Sequence, residues 1–131
     1  MKKIVLTEEQ MDMVNNYVSQ EESKSTIINE GQSILNLQNL VNEDFAAIVN
    51  EILNSSGRII VTGIGKSANI AQKIVSTFNS TGQPSVFMHA GDASHGDLGN
   101  IQENDVVLCL SKSGNTSEIK AIVPLIKSMG N

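Results

Sequence analysis

The sequence predicts an α/β protein with a parallel β-sheet, and two observations support that prediction. Three short apolar runs, at residues 59–61, 85–88 and 106–110, are separated by segments with helical periodicity. The first and third runs each lead into a loop of glycine and hydroxyl residues that opens a helix. Alternating strands and helices of this kind form parallel sheets with right-handed crossovers. We therefore expect two N-terminal helices followed by the order β-α-β-α-β-α.

Composition limits the classes of partner. The chain has 131 residues, of which 40% are hydrophobic and 18% charged, as in an ordinary globular protein. A net charge of -5 argues against duplex nucleic acid, which needs a basic surface. Aromatic residues, at 3%, are too scarce for stacking single-stranded bases. Because Arg58 is the only arginine, any bound phosphate must be held by backbone N–H groups, hydroxyls and lysines.

Cysteine usage and hydropathy predict a cytoplasmic protein without a membrane partner. Cys109 is the only cysteine, so no disulfide can form within one chain, which fits a reducing compartment. It lies inside an apolar run and is predicted to be a small core residue. The apolar run after Met1 is too short for a signal peptide. No run approaches the roughly 20 apolar residues of a membrane span.

The first third of the chain predicts helices. Residues 7–10 read Thr-Glu-Glu-Gln, a capping box that begins a short helix ending near Gln20. Residues 21–25 are predicted to be a polar break. From Thr26 to about Leu53, apolar residues recur every three or four positions, as in a long helix or one in two pieces. This broad apolar stripe favours a core or subunit interface.

After residue 57 the hydrophobic pattern changes from helical spacing to short continuous apolar runs separated by helical segments, and this change predicts the remaining elements. Residues 67–79 are predicted to form a helix, and residues 92–98 a loop or short helix. Residues 117–129 form the third helical segment, where Pro124 should cause a kink or limit the first turns. The residues of the first of these helices expected to face inward are Ile70, Ile74, Val75 and Phe78.

The glycine loop, residues 63–67, reads Gly-Ile-Gly-Lys-Ser between the first strand and its helix. Outward-pointing N–H groups and the positive end of a helix make such a turn an anion site. It is not a P-loop, because Ile60 stands where the first glycine is needed. A dinucleotide fingerprint fits, but Met88 and His89 replace the acidic residue expected after the next strand. A purely structural tight turn remains the alternative.

The serine loop, residues 111–116, places Ser111, Ser113 and Thr116 around Gly114 at the end of the third strand. Ligands of open parallel sheets bind at this edge. Capping a helix would require only one of the three hydroxyls, although capping alone remains the alternative. With Lys66 in the glycine loop and Glu118 just past the serine loop, the pattern favours chemistry on a phosphorylated small molecule.

The histidine segment, residues 89–99, contains His89 and His95 with Asp92 and Asp97 nearby. Imidazole and carboxylate are common metal ligands, but the spacing matches no compact structural zinc pattern. Three interpretations stay open: a histidine that positions substrate, a metal site, and a hydrogen-bonded structural loop.

These three segments resemble the sugar isomerase (SIS) domain and, within it, the arabinose-5-phosphate isomerases. The similarity runs from about Ile27 to Lys127 and is carried by residues 61–67, 89–99 and 110–119. It implies a three-layer α/β/α sandwich of flavodoxin-like type with N-terminal helices. On this basis we divide the chain into an N-terminal helical segment, residues 1–25, and an SIS domain, residues 26–131.

The resemblance also implies roles for individual residues and for the whole molecule. Catalytic roles fall on three residues: Lys66, Glu118 and His95. The resemblance implies that six residues bind the phosphate: Gly65, Ser67, Ser111, Ser113, Gly114 and Thr116. His89 with His95 would account for inhibitory zinc binding. The family implies a homotetramer, a small-molecule sugar phosphate as ligand, and no cofactor.

The activity implied is an aldose–ketose isomerase that interconverts ribulose 5-phosphate and arabinose 5-phosphate through an enediol. The alternative is an SIS sensor that binds a sugar phosphate without converting it, since the serine loop serves both. The family's second half, with a further Glu and a His, has no counterpart after Asn131. We therefore expect a truncated SIS domain whose own activity the sequence leaves open.

Overall fold

The computed structural model describes residues 7–17 and 20–130. The chain divides into two compact units, Met1–Ala46 and Ala47–Asn131, which are described separately below. The domain boundary expected between residues 25 and 26 stays a prediction. No helix in the described ranges is both long and apolar enough to span a bilayer.

The described part of the N-terminal unit is helical, and its first helix carries the predicted capping box. Helix α1 spans Glu8–Tyr17. The backbone N–H of Thr7 donates to Gln10 Oε1 at 2.9 Å, and the N–H of Gln10 donates to Thr7 Oγ1 at 3.3 Å. This reciprocal pair confirms the capping box, because each side chain satisfies a backbone donor that the first helical turn leaves free.

Helix α2 spans Gln20–Asn36, so the polar break expected at residues 21–25 is wrong. Polar side chains prevent burial, not helix formation. Here Glu21 and Glu22 lie in the first turn, where the helix dipole favours acidic groups. Lys24 Nζ lies 3.2 Å from Glu21 Oε1, one turn away.

The helical segment predicted after Thr26 consists of two pieces, which is one of the two expected alternatives. A 3₁₀ turn at Leu37–Leu40 follows α2, and helix α3 spans Glu43–Asn54. The side chain of Asn42 caps α3 by accepting a hydrogen bond from the N–H of Phe45 at 3.0 Å.

The second unit holds a three-stranded parallel sheet in the order β2-β1-β3. Strand β1 spans Ile59–Gly63, β2 spans Ser85–His89 and β3 spans Val106–Cys109. The register places Ile59 beside Ser85 on one side and beside Val106 on the other. Helix α4 (Lys66–Ser80), the single-turn helix α5 (Ala90–Ala93) and helix α6 (Ser117–Ser128) connect or follow the strands. A 3₁₀ turn at Asp97–Asn100 follows α5.

Helices cover both faces of this sheet, which confirms the α/β class and the three-layer arrangement. Successive residues of a strand point to opposite faces. Ile59 and Val61 therefore pack with Ala71 of α4, while Ile60 packs with residues of α5 and α6. The buried residues of this α6-side core are Ile60, Met88, Ala90, Ala93, Ile101, Ile119, Ile122 and Ile126.

Helix α4 corrects one prediction about its buried face. Ile70 was expected to face inward, but 58% of its surface is exposed. The residues in contact with the sheet are the buried Ala68 and Ala71 and the half-buried Ile74, Val75 and Phe78. Small alanines let the helix axis approach the sheet, and Ile70 lies outside the stripe that they define.

Helix α6 continues through Pro124 to Ser128, so the proline does not end it. Pro124 lies on an exposed side. Water can therefore hydrogen-bond the carbonyl of Lys120, which has lost its usual donor four residues on.

A largely buried ion pair joins β1 to β3 at the amino end of the sheet. Arg58 Nη2 lies 2.6 Å from Asp105 Oδ2, and the backbone N–H of Arg58 donates to Asp105 Oδ1 at 2.8 Å. Burial alone would raise the pKa of Asp105. The Arg58 side chain and the N–H groups of Gln102 and Arg58 outweigh burial and lower that pKa. Gly57 permits this approach, because a Cβ there would lie 2.0 Å from the carbonyl oxygen of Asn104.

Candidate functional site

The carboxyl ends of the three strands meet at one edge of the sheet, and each continues into a segment singled out in the sequence. Strand β1 ends in the glycine loop, β2 ends at His89 and β3 leads into the serine loop. Gly63 and His89 are paired in the register of the sheet. The fold therefore gathers chemistry-bearing residues from segments that are distant in sequence, as parallel sheets do at their ligand-binding edge.

The glycine loop turns sharply into α4. Gly65 has φ 59° and ψ -127°, a combination that side chains disfavour. Its neighbourhood is empty, so the glycine is required for backbone conformation and not for space. Ser67 is half-buried, whereas Lys66, the first residue of α4, is exposed. The Lys66 side chain makes no hydrogen bond or ion pair within the described ranges, which leaves its ammonium free to contact a ligand.

The serine loop has an internal hydrogen bond that decides between two interpretations of its hydroxyls. Ser111 Oγ and Thr116 Oγ1 lie 2.8 Å apart, and Ser113 Oγ accepts a hydrogen bond from the N–H of Asn115 at 3.1 Å. Thr116 stands at the N-cap of α6 but makes no side-chain capping bond. The capping-only alternative is therefore wrong: the hydroxyls organise the loop, and the Thr116 side chain does not cap α6.

Glu118 lies partly exposed in the first turn of α6. Its pKa is lowered, first because Ser117 Oγ donates to Oε2 at 2.7 Å, and then because its own backbone N–H donates to the carboxylate. The charge of His89 lowers the pKa further, against a small opposing effect of burial. Glu118 is thus an ionised carboxylate at neutral pH, electrostatically coupled to the end of β2.

The histidine segment places its two imidazoles in different surroundings. His89 Nδ1 lies 3.6 Å from Asp92 Oδ2, and the His89 ring contacts Phe87 edge-on at 6.3 Å between centroids. His95 is exposed, and its backbone N–H donates to the carbonyl of Asp92 at 2.8 Å, closing the turn after α5. Gly96 follows with φ 127°, which directs the chain into the next 3₁₀ turn.

These histidines do not by themselves make a metal site. In the described part of the chain, no group of three or more His, Cys, Asp or Glu side chains converges as metal ligands. Inhibitory zinc binding by His89 and His95 stays a prediction and would need further ligands.

A cleft of about 510 Å³ lies elsewhere, along the outer edge of β3. Val107, Cys109 and Val123 line it, and no residue of the three loops does. Cys109 packs against the α6-side core, as predicted, but it is half-buried, and burial raises the pKa of its thiol. This cleft is the uncovered flank of an edge strand, and its position separates it from the candidate site.

Sequence reasoning missed two residues at this edge. Ser117 gave no motif signal, although a serine beside an acidic residue in a first helical turn is well placed to donate to it. Thr62, at the carboxyl end of β1, is fully buried, and the local sequence marks it only as a strand residue. The burial of a hydroxyl and its hydrogen-bond partners depend on how the helices pack on the sheet. The local sequence does not reveal that packing.

The comparisons with known proteins agree with this geometry. A family model described as SIS domain matches residues 52–131. This chain belongs to the SIS domain family. It is 42% identical to arabinose 5-phosphate isomerase KdsD of Pseudomonas aeruginosa, over 92% of this chain and 37% of that protein. The corresponding Yersinia pestis protein is 42% identical, over 82% of this chain and 33% of that protein.

A solved structure supports the fold. The chain matches an Escherichia coli CFT073 protein in complex with arabinose 5-phosphate, with a TM-score of 0.72 and 36% identity. The match covers 87% of this chain and 63% of that one. The chain spans about a third of the length of the curated relatives it matches.

Proposed function

We propose that this SIS domain acts on a phosphorylated pentose as an aldose–ketose isomerase, interconverting ribulose 5-phosphate and arabinose 5-phosphate. The observation that carries the proposal is the serine loop, whose Ser111 and Thr116 hydroxyls pair with each other while Thr116, the N-cap residue, does not cap α6. This anion site lies at the same sheet edge as Lys66 and Glu118. Relatives named arabinose 5-phosphate isomerase and the neighbour solved with arabinose 5-phosphate support the substrate class.

The phosphate would be held without arginine, because Arg58 is bound to Asp105 at the opposite end of the sheet. The N–H groups that begin α6 and the partial positive charge of the helix attract the dianion. Side-chain and backbone donors then fix its orientation. In our proposal these donors come from Gly65, Ser67, Ser111, Ser113, Gly114 and Thr116.

The reaction moves two protons and leaves the electron count unchanged. A base removes a proton from C1 of the ketose while the carbonyl oxygen at C2 gains one, which gives the enediol. A proton then adds to C2, and the C1 hydroxyl loses its proton to form the aldehyde. The phosphate contacts hold C1 and C2 in position, so that binding energy supplies orientation.

Three residues divide this work in our proposal. Lys66 stabilises the negative charge that develops on the oxygen of the enediol. His95 carries the proton, since imidazole is the side chain most often used for proton transfer in catalysis. Glu118, whose lowered pKa makes it a weak base, orients an imidazole; in this chain the histidine whose charge acts on Glu118 is His89. Holding an imidazole in one orientation is how a carboxylate contributes without itself accepting the proton.

A proton NMR time course in D₂O with ribulose 5-phosphate tests the proposal. We expect arabinose 5-phosphate to appear with solvent deuterium at C2, because the proton taken from C1 exchanges with D₂O while the base holds it, before C2 is protonated. Saturable binding without turnover would instead identify a sugar-phosphate sensor. Absence of both binding and turnover would contradict the proposal altogether.

We also propose that the protein functions as a homo-oligomer, the tetramer that the family resemblance implies, and in the cytoplasm. Support for assembly comes from the N-terminal unit by itself. There Ile27, Ile34 and Leu40 each expose between 66% and 69% of their surface. Apolar residues exposed together in this way are typical of surfaces that associate.

A further inference from the structure

Two buried side-chain nitrogen or oxygen atoms in the described ranges have no hydrogen-bond partner: Thr62 Oγ1 and His89 Nδ1. Both lie at the carboxyl edge of the sheet, on the neighbouring strands β1 and β2. Thr62 is the more informative of the two, because it is 0% exposed, whereas His89 Nδ1 already lies 3.6 Å from Asp92 Oδ2.

The hydroxyl of Thr62 is not needed for packing. Thr62 is on the same face of β1 as Ile60, and its register partners Met88 and Cys109 both pack in the α6-side core. Valine has nearly the same shape and would fill this position without a polar atom. Buried hydroxyls are nearly always hydrogen-bonded, because an unpartnered one lowers stability. A partner that exists only in another state of the protein would explain this residue.

The backbone connects Thr62 to two of the loops that form the candidate site. Its carbonyl accepts a hydrogen bond from the N–H of Leu110 at 2.8 Å, one residue before the serine loop. Gly63, the next residue in the chain, begins the glycine loop. A new hydrogen bond to the Thr62 hydroxyl would therefore stabilise the part of the sheet from which the glycine loop and the serine loop both begin.

We propose that Thr62 is a positioning residue of the sugar-phosphate site: its hydroxyl gains a hydrogen-bond partner when a bound phosphate shifts the serine loop. The hydroxyl thereby favours the ligand-bound arrangement without touching the ligand. This inference rests on the proposed sugar-phosphate binding and adds to it a residue that stabilises the bound state.

Thermal unfolding and calorimetric titration of the Thr62→Val and Thr62→Ser variants test the proposal, with arabinose 5-phosphate and inorganic phosphate as probes. Thr62→Val should raise the Tm of the ligand-free protein by a few degrees, because the unpartnered hydroxyl is gone. It should weaken binding of both probes about three- to tenfold, the range expected for one hydrogen bond. Thr62→Ser keeps the hydroxyl and should bind both probes within about twofold of the wild type.

Ser85→Ala provides the control. Ser85 is also buried, but it lies at the amino end of β2, and its hydroxyl already donates to the carbonyl of Gln83 at 3.1 Å. Its removal should lower Tm and leave both affinities unchanged.

Three results would overturn the inference. Unchanged phosphate affinity in Thr62→Val would show that the hydroxyl does not respond to the serine loop. If Thr62→Val lowered Tm by the same amount with and without ligand, the Thr62 hydroxyl would have a purely structural role. Failure of the wild type to bind either probe would reject the proposed function as well, whereas normal binding by both wild type and Thr62→Val would reject only the role of Thr62.

Discussion

At the scale of single residues, Glu118 gives the sharpest test of the chemistry. Glu118→Gln removes the charge that orients the imidazole but keeps the size and the helix start. Turnover should fall by at least about a hundredfold, the lower end of what positioned proton transfer contributes. Binding of arabinose 5-phosphate should stay within about threefold, because the phosphate contacts are unchanged.

Glu103→Gln is the matched control, since Glu103 is an exposed carboxylate before β3, at the amino end of the sheet. It should leave turnover unchanged. NMR assays of both variants at saturating substrate make the comparison. Survival of turnover in Glu118→Gln would show that this residue has no part in proton transfer.

Asp105 predicts a pH dependence of stability. Its pKa is lower in the folded protein than in the unfolded chain, where it is about 3.9. The stabilisation is therefore fully present above about pH 4 and disappears as the pH falls through the folded-state pKa. At pH 7, Asp105→Asn should lower the free energy of unfolding by roughly 1.5–3 kcal/mol, the range for hydrogen bonds to charged groups.

Urea unfolding at pH 7 and at successively lower pH measures this difference. The gap between wild type and Asp105→Asn should narrow as the solution becomes more acidic. Asp12→Asn, at an exposed position on α1, should show no comparable gap. A gap that is constant across the pH range would mean that the Arg58–Asp105 charge pair does not stabilise the fold.

At the scale of elements, the glycine loop depends on the backbone conformation of Gly65. Gly65→Ala should cost about 1–3 kcal/mol of stability, because the observed φ and ψ strain any residue with a Cβ. Relief of that strain would also move Lys66, so phosphate binding should weaken. Denaturant unfolding and calorimetric phosphate titration measure the two effects.

Gly31, within a regular helix, should respond to alanine substitution in the opposite direction from Gly65. It lies inside α2 without positive φ and with nothing within 4 Å of an added Cβ. Gly31→Ala should therefore stabilise the protein by about 0.5–1 kcal/mol, since alanine favours helix. If both substitutions destabilise equally, backbone strain at Gly65 is not the reason for its glycine.

At the scale of the whole molecule, assembly should make thermal stability depend on protein concentration. An oligomer that dissociates on unfolding has a Tm that rises with concentration, whereas the Tm of a monomer does not change. Ile34→Gln, in the exposed apolar part of α2, should weaken association and reduce that dependence. Light scattering at several concentrations measures the mass directly. A monomeric mass at the highest concentration would contradict the proposed assembly.

The sequence by itself determined the features that depend on near neighbours. β-branched runs, helical periodicity and the capping box of Thr7 and Gln10 predicted the class of fold and most of the elements. The positions of the glycine and serine loops could also be read directly, because turns need glycine at particular backbone angles. In each case the interactions lie within a few residues along the chain.

Only the tertiary structure decided which side chains meet across the fold. Arg58 and Asp105 are 47 residues apart in sequence, and their ion pair exists because β1 and β3 are adjacent. The exposed Ile70 and the unpartnered hydroxyl of Thr62 likewise depend on how closely the helices approach the sheet. Periodicity indicates which residues are apolar and how they repeat. Burial and hydrogen-bond partners are set by elements far away in the chain.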